Sequence, residues 1–330
     1  MKKILLVCLS LAISSRLLAQ DPHFTQYFAS PLSLNPAYTG FFDGDMRVAL
    51  NQRQQWANVG YKYNTTSISI DAKLLPYRIP EDDILAVGLS GVFDASLNGA
   101  LKSNYISASA AYHKSLDEGG RQRLSVGLQF TYANKFIDFN NLTFASQYDG
   151  NKFDTSIPVS VDSYKSSASY YDAHAGVLYS LKNENASWYA GASVYHLARP
   201  TESLFTSEGI KVPFRETFHA GGELNMSNRS SIILSGLYMT QNGAHDQMIG
   251  AAYSVKANNN ENAFNISFGS WLRFGDSYIP YVGMDFQDFT LGMNYAVPYN
   301  NAINYRPNTV EISLIYRKGA HSGKLDCPRF

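Results

Sequence analysis

One run of alternating side chains, LSVGLQFTY from Leu124 to Tyr132, most constrains how this chain can fold. One parity is apolar (Leu124, Val126, Leu128, Phe130 and Tyr132), and the other consists of Ser, Gly, Gln and Thr. Successive side chains of a β-strand point to opposite faces, so this run in extended form has one apolar face and one polar face. Such a strand separates two different solvents. A long polar and aromatic stretch without a comparable strand pattern follows, to about residue 170.

The same pattern recurs along the chain. It predicts strands at about 45–52, 63–73, 84–93, 103–113, 122–133, 170–182, 187–196, 215–225, 230–239, 246–256, 263–273, 277–286, 288–296 and 309–317. Most of them are near the ~10 residues that a tilted membrane strand requires. Beyond the N-terminus, no apolar run approaches the ~20 residues of a membrane helix. The sequence therefore predicts an all-β fold, a transmembrane antiparallel up-and-down β-barrel of about 14 strands over residues 45–317.

Composition agrees with a wall that faces lipid. The chain has 23 tyrosines and 19 phenylalanines, and its charged residues make up only 16%, against about 25% in an ordinary soluble domain. Aromatic rings are enriched at membrane interfaces. A secreted β-sandwich would share much of this composition. The formal net charge of zero gives no electrostatic reason to expect nucleic acid as a partner.

The N-terminus predicts export. Lys2 and Lys3 precede the apolar run Ile4 to Ile13, and Ala19 offers a small residue at a cleavage site, which is typical of a secretory signal peptide over residues 1–19. Cys8 would be removed with that peptide. Cys327, in a C-terminal tail at 318–330, would then have no cysteine in the chain to pair with. An unpaired thiol is the simplest interpretation, with an intermolecular bridge or a metal ligand as alternatives.

Residues 20–44 form an irregular segment before the first strand. The segment holds three prolines and no sustained alternation, but it is rich in aromatic residues that need cover. We expect it to plug the barrel or to dock a periplasmic partner; the alternative is a strap that fixes the first strand. Its candidate residues are Asp21, Pro22, Phe24, Tyr27, Asn35 and Pro36.

The three longest predicted connections, at about 134–169, 197–214 and 297–308, all follow odd-numbered strands. Bacterial outer-membrane barrels place long loops outside the cell, so these connections would face the exterior if both termini lie in the periplasm. Loops on a rigid frame carry function, and aromatic side chains concentrate binding energy. The candidate partner-binding residues are Gln147, Tyr148, Asp149, Phe153 and Asp154. The alternative is a loop that folds inward and constricts the barrel.

The sequence indicates no catalytic, cofactor or metal site. Histidines 113, 174, 196, 219 and 245 lie on or near predicted strands, and serines are frequent, so composition allows a Ser–His pair as in a barrel hydrolase. However, no local nucleophile motif such as GxSxG is present. Asp149, Asn151 and Asp154 lack the spacing and the terminal Glu of an EF-hand loop.

Several motifs together resemble one known family. They are DPHFTQYFASPLSLNPAYTG (Asp21 to Gly40), Gln55-Trp56, DFNNLTFASQYDGNKFD (Asp138 to Asp154), Tyr195-His196-Leu197 with Pro200, and the C-terminal Cys327-Pro328-Arg329-Phe330. On these motifs the chain resembles the PorP/SprF family of type IX secretion system outer-membrane proteins. The resemblance covers essentially the whole chain after the signal peptide, and the opening motif with Asn35-Pro36-Ala37 is its most specific part.

The resemblance implies an integral outer-membrane barrel, in contact with outer-membrane lipid, that works with the type IX secretion and gliding machinery. The implied partners are a secreted, adhesin-like cargo protein with a C-terminal sorting domain and type IX secretion components, with a periplasmic or peptidoglycan-associated protein as a further candidate. The family is not known as an enzyme. From a different class of function, the alternative is a passive or substrate-specific channel for small hydrophobic molecules, with the N-terminal segment as its plug.

Overall fold

A computed structural model describes residues 21–56, 62–74, 80, 82–154, 156–159, 165–204, 209–257, 264–299 and 308–319. The strands in this part of the chain are β1 (Met46–Gln55), β2 (Tyr63–Leu74), β3 (Ile84–Ser96), β4 (Leu101–Ser115), β5 (Gln122–Ile137), β6 (Ser167–Lys182), β7 (Ala186–Tyr195), β8 (Thr201–Glu202), β9 (Ile210–Lys211), β10 (Arg215–Ser227), β11 (Ser230–Gln241), β12 (Ala244–Lys256), β13 (Phe264–Arg273), β14 (Ser277–Phe286), β15 (Phe289–Pro298) and β16 (Thr309–Lys318). The predicted signal peptide and Cys327 lie outside the described residues.

Fourteen of these strands form a closed antiparallel barrel, in which β1–β7 and β10–β16 follow one another in chain order. Pairing between β1 and β16, from Met46 opposite Lys318 to Gln55 opposite Thr309, closes the ring. The predicted up-and-down barrel of about 14 strands is therefore confirmed. The short strands β8 and β9 pair only with each other and form a separate hairpin in the connection between β7 and β10.

The two rims of the barrel differ in the length of their connections. One rim, here called the short-turn rim, contains the start of β1, the end of β16 and the turns 183–185, 228–229 and 287–288. The opposite rim, the long-loop rim, carries the connections 138–166, 196–214 and 299–308. The three long connections predicted from the sequence thus share one rim, as an antiparallel meander with an even number of strands requires.

The strand wall has an apolar outer face and a polar inner face. On β5, Leu124, Val126, Leu128 and Phe130 are 45%, 52%, 63% and 56% exposed, although they are large apolar side chains. Their neighbours of opposite parity, which include Gln129, are buried. This alternation matches the two faces predicted from the sequence, and it suits lipid outside and a polar lumen inside.

Several strands extend further at the long-loop rim than the sequence predicts. The predicted end of β5 is residue 133, whereas its pairing with β4 continues to Ile137 opposite Leu101. Beyond Ala133 the alternation of apolar and polar residues ends. Lys135 instead forms an ion pair with Glu202 of the β8–β9 hairpin, at 2.8 Å. Backbone pairing continues past the apolar belt, because ladder hydrogen bonds do not require lipid on one side.

Residues 21–44, the N-terminal segment, lie inside the barrel. They contain two 3₁₀ turns (Tyr27–Ala29 and Pro36–Tyr38) and one short helix, α1 (Pro31–Leu34). Proline at the first position of both α1 and the second turn has its fixed φ there and no N–H to leave unpaired. None of the helices in the described ranges has the length and hydropathy to cross a bilayer.

The main hydrophobic cluster of the protein joins this segment to the inner wall. Its members from the segment are Tyr27, Leu32, Leu34, Ala37, Tyr38 and Phe41, and its members from the strands are Leu178, Tyr189, Ile233, Leu237, Met248, Ala252, Trp271, Ile279 and Ala296. Small barrels are filled by side chains, and here the chain's own N-terminal segment fills the lumen. This arrangement supplies the cover that the aromatic residues of the segment require.

Candidate functional site

The trailing part of the N-terminal segment, residues 35–42, is fixed by neutral hydrogen bonds near the middle of the barrel and towards the short-turn rim. Asn35 is fully buried. Its Nδ2 lies 3.0 Å from the Val177 carbonyl, 3.2 Å from the Ala192 carbonyl and 3.0 Å from His219 Nε2. Its Oδ1 accepts from the Ala37 N–H at 2.8 Å and caps the following turn. One amide side chain thus joins the segment to three neighbouring strands.

Two glycines of the wall make room for this turn. A Cβ on Gly176 of β6 would overlap the Asn35 side-chain amide, and a Cβ on Gly127 of β5 would overlap the backbone of Pro36 and Ala37. Glycine allows the closest approach of another group to a strand. The Asn-Pro-Ala motif and the two strand glycines therefore form one complementary contact.

The segment also packs on an ion pair of the wall. Arg47 Nη2 and Asp71 Oδ2 are 2.8 Å apart, and both side chains are buried. Asp71 Oδ2 also accepts from the Gly40 N–H at 2.7 Å, while Arg47 Nη2 donates to the Tyr38 carbonyl at 3.0 Å. The segment contributes backbone groups and the Phe42 ring, whose centre is 4.8 Å from the Arg47 guanidinium, and the wall contributes both charges.

The leading part of the segment, residues 21–26, lies near the long-loop rim and meets charged groups of the wall. Glu311 of β16 is fully buried, and its two carboxylate oxygens accept from the Thr25 and Gln26 N–H groups at 2.7 and 2.8 Å. Arg53 lies beside it, with Nε 3.2 Å from Oε1. A buried carboxylate is tolerated here because a cation and two amides satisfy it.

A second carboxylate contact involves His23. Its Nε2 lies 3.0 Å from Asp246 Oδ2, and Arg273 Nε lies 3.3 Å from Asp246 Oδ1. Unlike the trailing part, the leading part therefore places its own titratable side chains against charges of the wall.

The third contact joins Asp21 to two cationic groups. Asp21 Oδ2 accepts from His196 Nε2 at 2.6 Å and from Arg215 Nη1 at 3.2 Å, while the Asp21 N–H donates to Gln241 Oε1 at 2.9 Å. The other ring nitrogen of His196, Nδ1, donates to Asp172 Oδ2 at 2.5 Å. His196 thus lies between two carboxylates.

The charges of this cluster support one another. Burial favours the neutral imidazole, but the Asp21 and Asp172 carboxylates outweigh it and raise the pKa of His196 to about 9. Burial likewise opposes ionisation of Asp21, but His196 and Arg215 hold the pKa of its carboxyl well below its usual range. Both groups are therefore charged at neutral pH, as the donation by both ring nitrogens requires.

A cavity adjoins this cluster on the inner side of β4, β5 and β6. Its lining includes Asp21, Gln129, Tyr170 and His174. His174 Nδ1 accepts from the His196 backbone N–H at 3.0 Å. Gln129 is 6% exposed, and among the described residues its Oε1 has no hydrogen-bond partner.

Asp172, His174 and His196 each place one possible metal-ligand atom within 4.8 Å of the others. Both nitrogens of His196 already donate to carboxylates, and His174 Nε2 lies 2.9 Å from Thr131 Oγ1. Hydrogen bonds therefore occupy the nitrogens that a metal ion would need, and the contacts fit an ion-paired network.

Of the histidines considered for catalysis, His113 does contact a serine. Its Nδ1 lies 2.6 Å from Ser125 Oγ, and its Nε2 donates to the Thr39 carbonyl at 2.8 Å. A backbone carbonyl thus occupies the position of the orienting carboxylate in a triad. The pair is fully buried and holds the N-terminal segment against the wall.

The six residues predicted as plug or docking site are all in this interior segment. Asp21 and Pro22 line the cavity and are partly exposed, Phe24 and Tyr27 are each 3% exposed, and Asn35 and Pro36 are buried. Burial raises the pKa of the Tyr27 phenol to about 12. Phe24, Tyr27, Asn35 and Pro36 are thus buried inside the barrel, and docking of a periplasmic partner by this segment stays a prediction.

The five residues predicted to bind a partner lie in the long loop after β5. Tyr148 and Phe153 pair across an isolated bridge, their rings are 5.3 Å apart, and they are 49% and 55% exposed. Gln147 is buried instead, where its amide bonds to the Phe144 N–H and the Ile157 carbonyl. Gln147 thus fixes the loop, and the two aromatic rings form its exposed surface.

Asp149 begins the turn between the two aromatic residues, and Asp154 begins the turn that follows them. Hydrogen bonds from the Lys152 and Asn151 N–H groups lower the pKa of Asp149, and bonds from the Ser156 hydroxyl and N–H lower that of Asp154. The loop therefore presents two exposed rings flanked by two ionised carboxylates.

The prediction from sequence missed Arg47, Asp71 and Arg215, which contact the N-terminal segment, and Asp172, which contacts His196 beside it. A signal for them is present in the strand pattern. Each lies on the buried, inward parity of its strand. Charges at such positions are costly unless a partner pairs with them.

Residues 17–316 match the family model described as "Type IX secretion system membrane protein PorP/SprF". No curated protein matches the sequence of this chain.

Solved structures share the barrel. The Ralstonia pickettii toluene transporter TbuX has a TM-score of 0.51 at 10% identity, over 87% of this chain and 92% of that chain. The P. putida toluene transporter TodX has a TM-score of 0.49 at 9% identity (88% and 94%), and a Pseudomonas aeruginosa FadL homologue has 0.46 at 10% identity (86% and 92%). Identity this low shows a likeness of fold alone.

Proposed function

Because this chain belongs to the PorP/SprF family of type IX secretion system membrane proteins, we propose that it is a non-enzymatic outer-membrane component that binds a secreted cargo protein. The cargo is an adhesin-like protein with a C-terminal sorting domain, which this barrel helps to secrete or to retain at the cell surface. We also propose that a signal peptide is cleaved after residue 19 and that the barrel contacts periplasmic secretion components.

The observation that carries the proposal is the exposed aromatic pair of the long loop. Tyr148 and Phe153 project from a loop that Gln147 fixes from within. Exposed aromatic side chains on an ordered loop are typical anchors of a protein interface. The ionised Asp149 and Asp154 beside them favour a cargo surface with basic residues around an apolar centre.

We further propose that the N-terminal segment closes the lumen. Support comes from the ring of contacts that Asn35, Gly40, Gln26 and Asp21 make with strands around the barrel. Small molecules would have to displace these contacts in order to pass. Because the lumen is closed, cargo binds at the long-loop rim. We assign this rim to the cell exterior, because outer-membrane barrels place their long loops there.

The test is deletion of the gene, followed by complementation with the wild type or with Tyr148→Ser/Phe153→Ser. Proteins at the cell surface and in the medium are then identified by mass spectrometry after surface labelling. We expect deletion to remove a protein with a C-terminal sorting domain from the surface, and the double variant to reproduce that loss. Asn151→Ser, in the same loop, is the matched control and should restore display.

The channel for small hydrophobic molecules makes the opposite prediction. The support for a channel is the likeness of fold to a barrel described as a toluene transporter. If the deletion strain displays all proteins with sorting domains but loses uptake of a hydrophobic nutrient, the cargo proposal is wrong. If display depends on the barrel but not on Tyr148 and Phe153, the assignment of the binding surface is wrong and the role in secretion stands.

A further inference from the structure

The contact between Asp21, His196 and Arg215 has the composition of a carboxylate-binding site. Two cationic groups of the wall converge on one oxygen of Asp21, at 2.6 Å from His196 Nε2 and 3.2 Å from Arg215 Nη1. Hydrogen bonds of this charge-assisted kind are about twice as strong as neutral ones. Asp21 keeps 15% of its side-chain surface exposed, so its carboxylate lies at the edge of the buried cluster.

The wall holds both cationic groups without the help of Asp21. His196 Nδ1 donates to Asp172, and the His196 backbone N–H donates to His174. The Arg215 guanidinium lies 4.0 Å from the centre of the Tyr195 ring. Withdrawal of Asp21 would therefore leave a preformed site, made of the Arg215 guanidinium and the His196 imidazole that Asp172 orients, to which another carboxylate can bind.

Space for a ligand adjoins this pair. The cavity beside Asp21 is lined by side chains that can hydrogen-bond, among them Ser107, Thr131 and Tyr170. Gln129 is more than nine-tenths buried, and within the described residues its Oε1 is unpartnered. A buried polar atom without a partner destabilises the fold, because it has lost its hydrogen bonds to water. A ligand that donates a hydrogen bond to this oxygen would remove that destabilisation, which is a second and independent indication of a binding site.

We propose that this is a carboxylate-exchange site, in which the Asp21 side chain is an internal occupant that the carboxylate of an incoming ligand replaces. The ligand carries a carboxylate, which an acidic peptide and a small organic acid have in common. A hydrogen-bond donor beside it, as in a peptide, would also pair with Gln129 Oε1. Exchange would release Asp21 from the long-loop rim while the contacts of Thr25 and Gln26 with Glu311 stay in place. The inference goes beyond cargo binding at Tyr148 and Phe153 and does not depend on it.

The experiment uses the full chain in detergent micelles and isothermal titration calorimetry. The probes are N-acetyl-Asp-Pro-His-amide, its Asn analogue, octanoate and octanamide. Asp21→Asn removes the internal carboxylate, and it should bind the aspartyl peptide or octanoate at least tenfold more tightly than the uncharged analogue. It should also bind that acid at least tenfold more tightly than the wild type does. Glu118→Gln, which removes an exposed carboxylate from the turn between β4 and β5, should show no gain.

A second set of variants tests the two cationic groups. In the Asp21→Asn background, either Arg215→Gln or His196→Gln should abolish the preference for the acid; two variants are used in case one does not fold. Folding is checked by the heat-modifiable electrophoretic mobility of the barrel. Preference for the peptide identifies the source as polypeptide, and preference for octanoate identifies a small organic acid. Equal binding of the charged and uncharged probes by folded Asp21→Asn overturns the proposal.

Discussion

The two ends of the N-terminal segment are held in the barrel by different physical means. The trailing part, residues 35–42, contributes backbone groups and the neutral Asn35 amide, and it fits against Gly127 and Gly176 of the wall. The leading part, residues 21–26, contributes Asp21 and His23, which pair with charges of the wall at the long-loop rim.

This difference separates permanent attachment from exchangeable attachment. A closely packed group cannot be replaced by a ligand, because its displacement leaves a void or an unpaired amide behind. An ion pair can be replaced by any group of the same charge, and it responds to pH and salt. We therefore expect the trailing part to determine stability and the leading part to respond to ligands and pH.

The largest effect is expected at the ion pair beneath the trailing part. Asp71→Ala leaves Arg47 buried without its carboxylate and removes the acceptor of the Gly40 N–H. Loss of one partner of a buried pair costs about 3–5 kcal/mol. The measurement is guanidinium unfolding in lipid vesicles, followed by tryptophan fluorescence. Glu118→Gln, at an exposed turn, is the control; equal midpoints for the two variants would contradict the prediction.

Overpacking of the glycine contact should have the next largest effect. Gly176→Ala places a Cβ against the Asn35 amide and should destabilise the protein by about 1–3 kcal/mol. The matched control is Gly236→Ala on β11, where the nearest atom to an added Cβ is 3.6 Å away. If protease accessibility of residues 35–42 is the same in both variants, the segment does not need this close approach.

The leading part should show a pH dependence above neutral pH, where His196 loses its proton. The pKa of His196 is raised from 6.5 to about 9, so its stabilising contribution is complete below about pH 6.5 and is lost as the pH rises through about 9. The pKa of Asp21 is lowered from 3.8, so its contribution does not change in this range. We expect the difference in Tm between wild type and His196→Gln to be largest near pH 6 and to vanish by about pH 10. A constant difference would show that His196 acts through packing alone.

The smallest effect on stability is expected outside the lumen. Tyr148→Ser/Phe153→Ser changes two exposed rings, and its unfolding midpoint should stay within about 0.5 kcal/mol of the wild type. Guanidinium unfolding under the conditions used for Asp71→Ala provides the measurement. A loss above about 1 kcal/mol would mean that the loop packs on the barrel, and the rings would then not be free to bind cargo.

The order of the strands could be predicted from the sequence because lipid and lumen impose a two-residue period on every strand. The fourteen predicted strands correspond to the fourteen of the barrel, with ends that differ by a few residues. The ends of the strands differ from the prediction, as in β5, because ladder hydrogen bonds continue after the apolar belt has ended. The β8–β9 hairpin, with two residues in each strand, is too short to give any periodic signal.

The site was only partly predictable. Asp21 and Asn35 were identified from the unusual composition of residues 20–44. Their partners Arg215 and His219 lie on a strand up to 194 residues away along the chain, and no local pattern connects them. The alternation of side chains along each strand could have shown that these residues face inward, but not which group each one contacts.

The sequence by itself determined the wall, because side-chain alternation is a local property that each strand carries independently of its neighbours. Only the tertiary structure decided how the lumen is filled. Closure of the ring brings Gly127 and Gly176 to Asn35, and it brings His196 and Arg215 to Asp21. These contacts join residues distant in the chain, so they exist only once the strands have paired in register and the segment has entered the barrel.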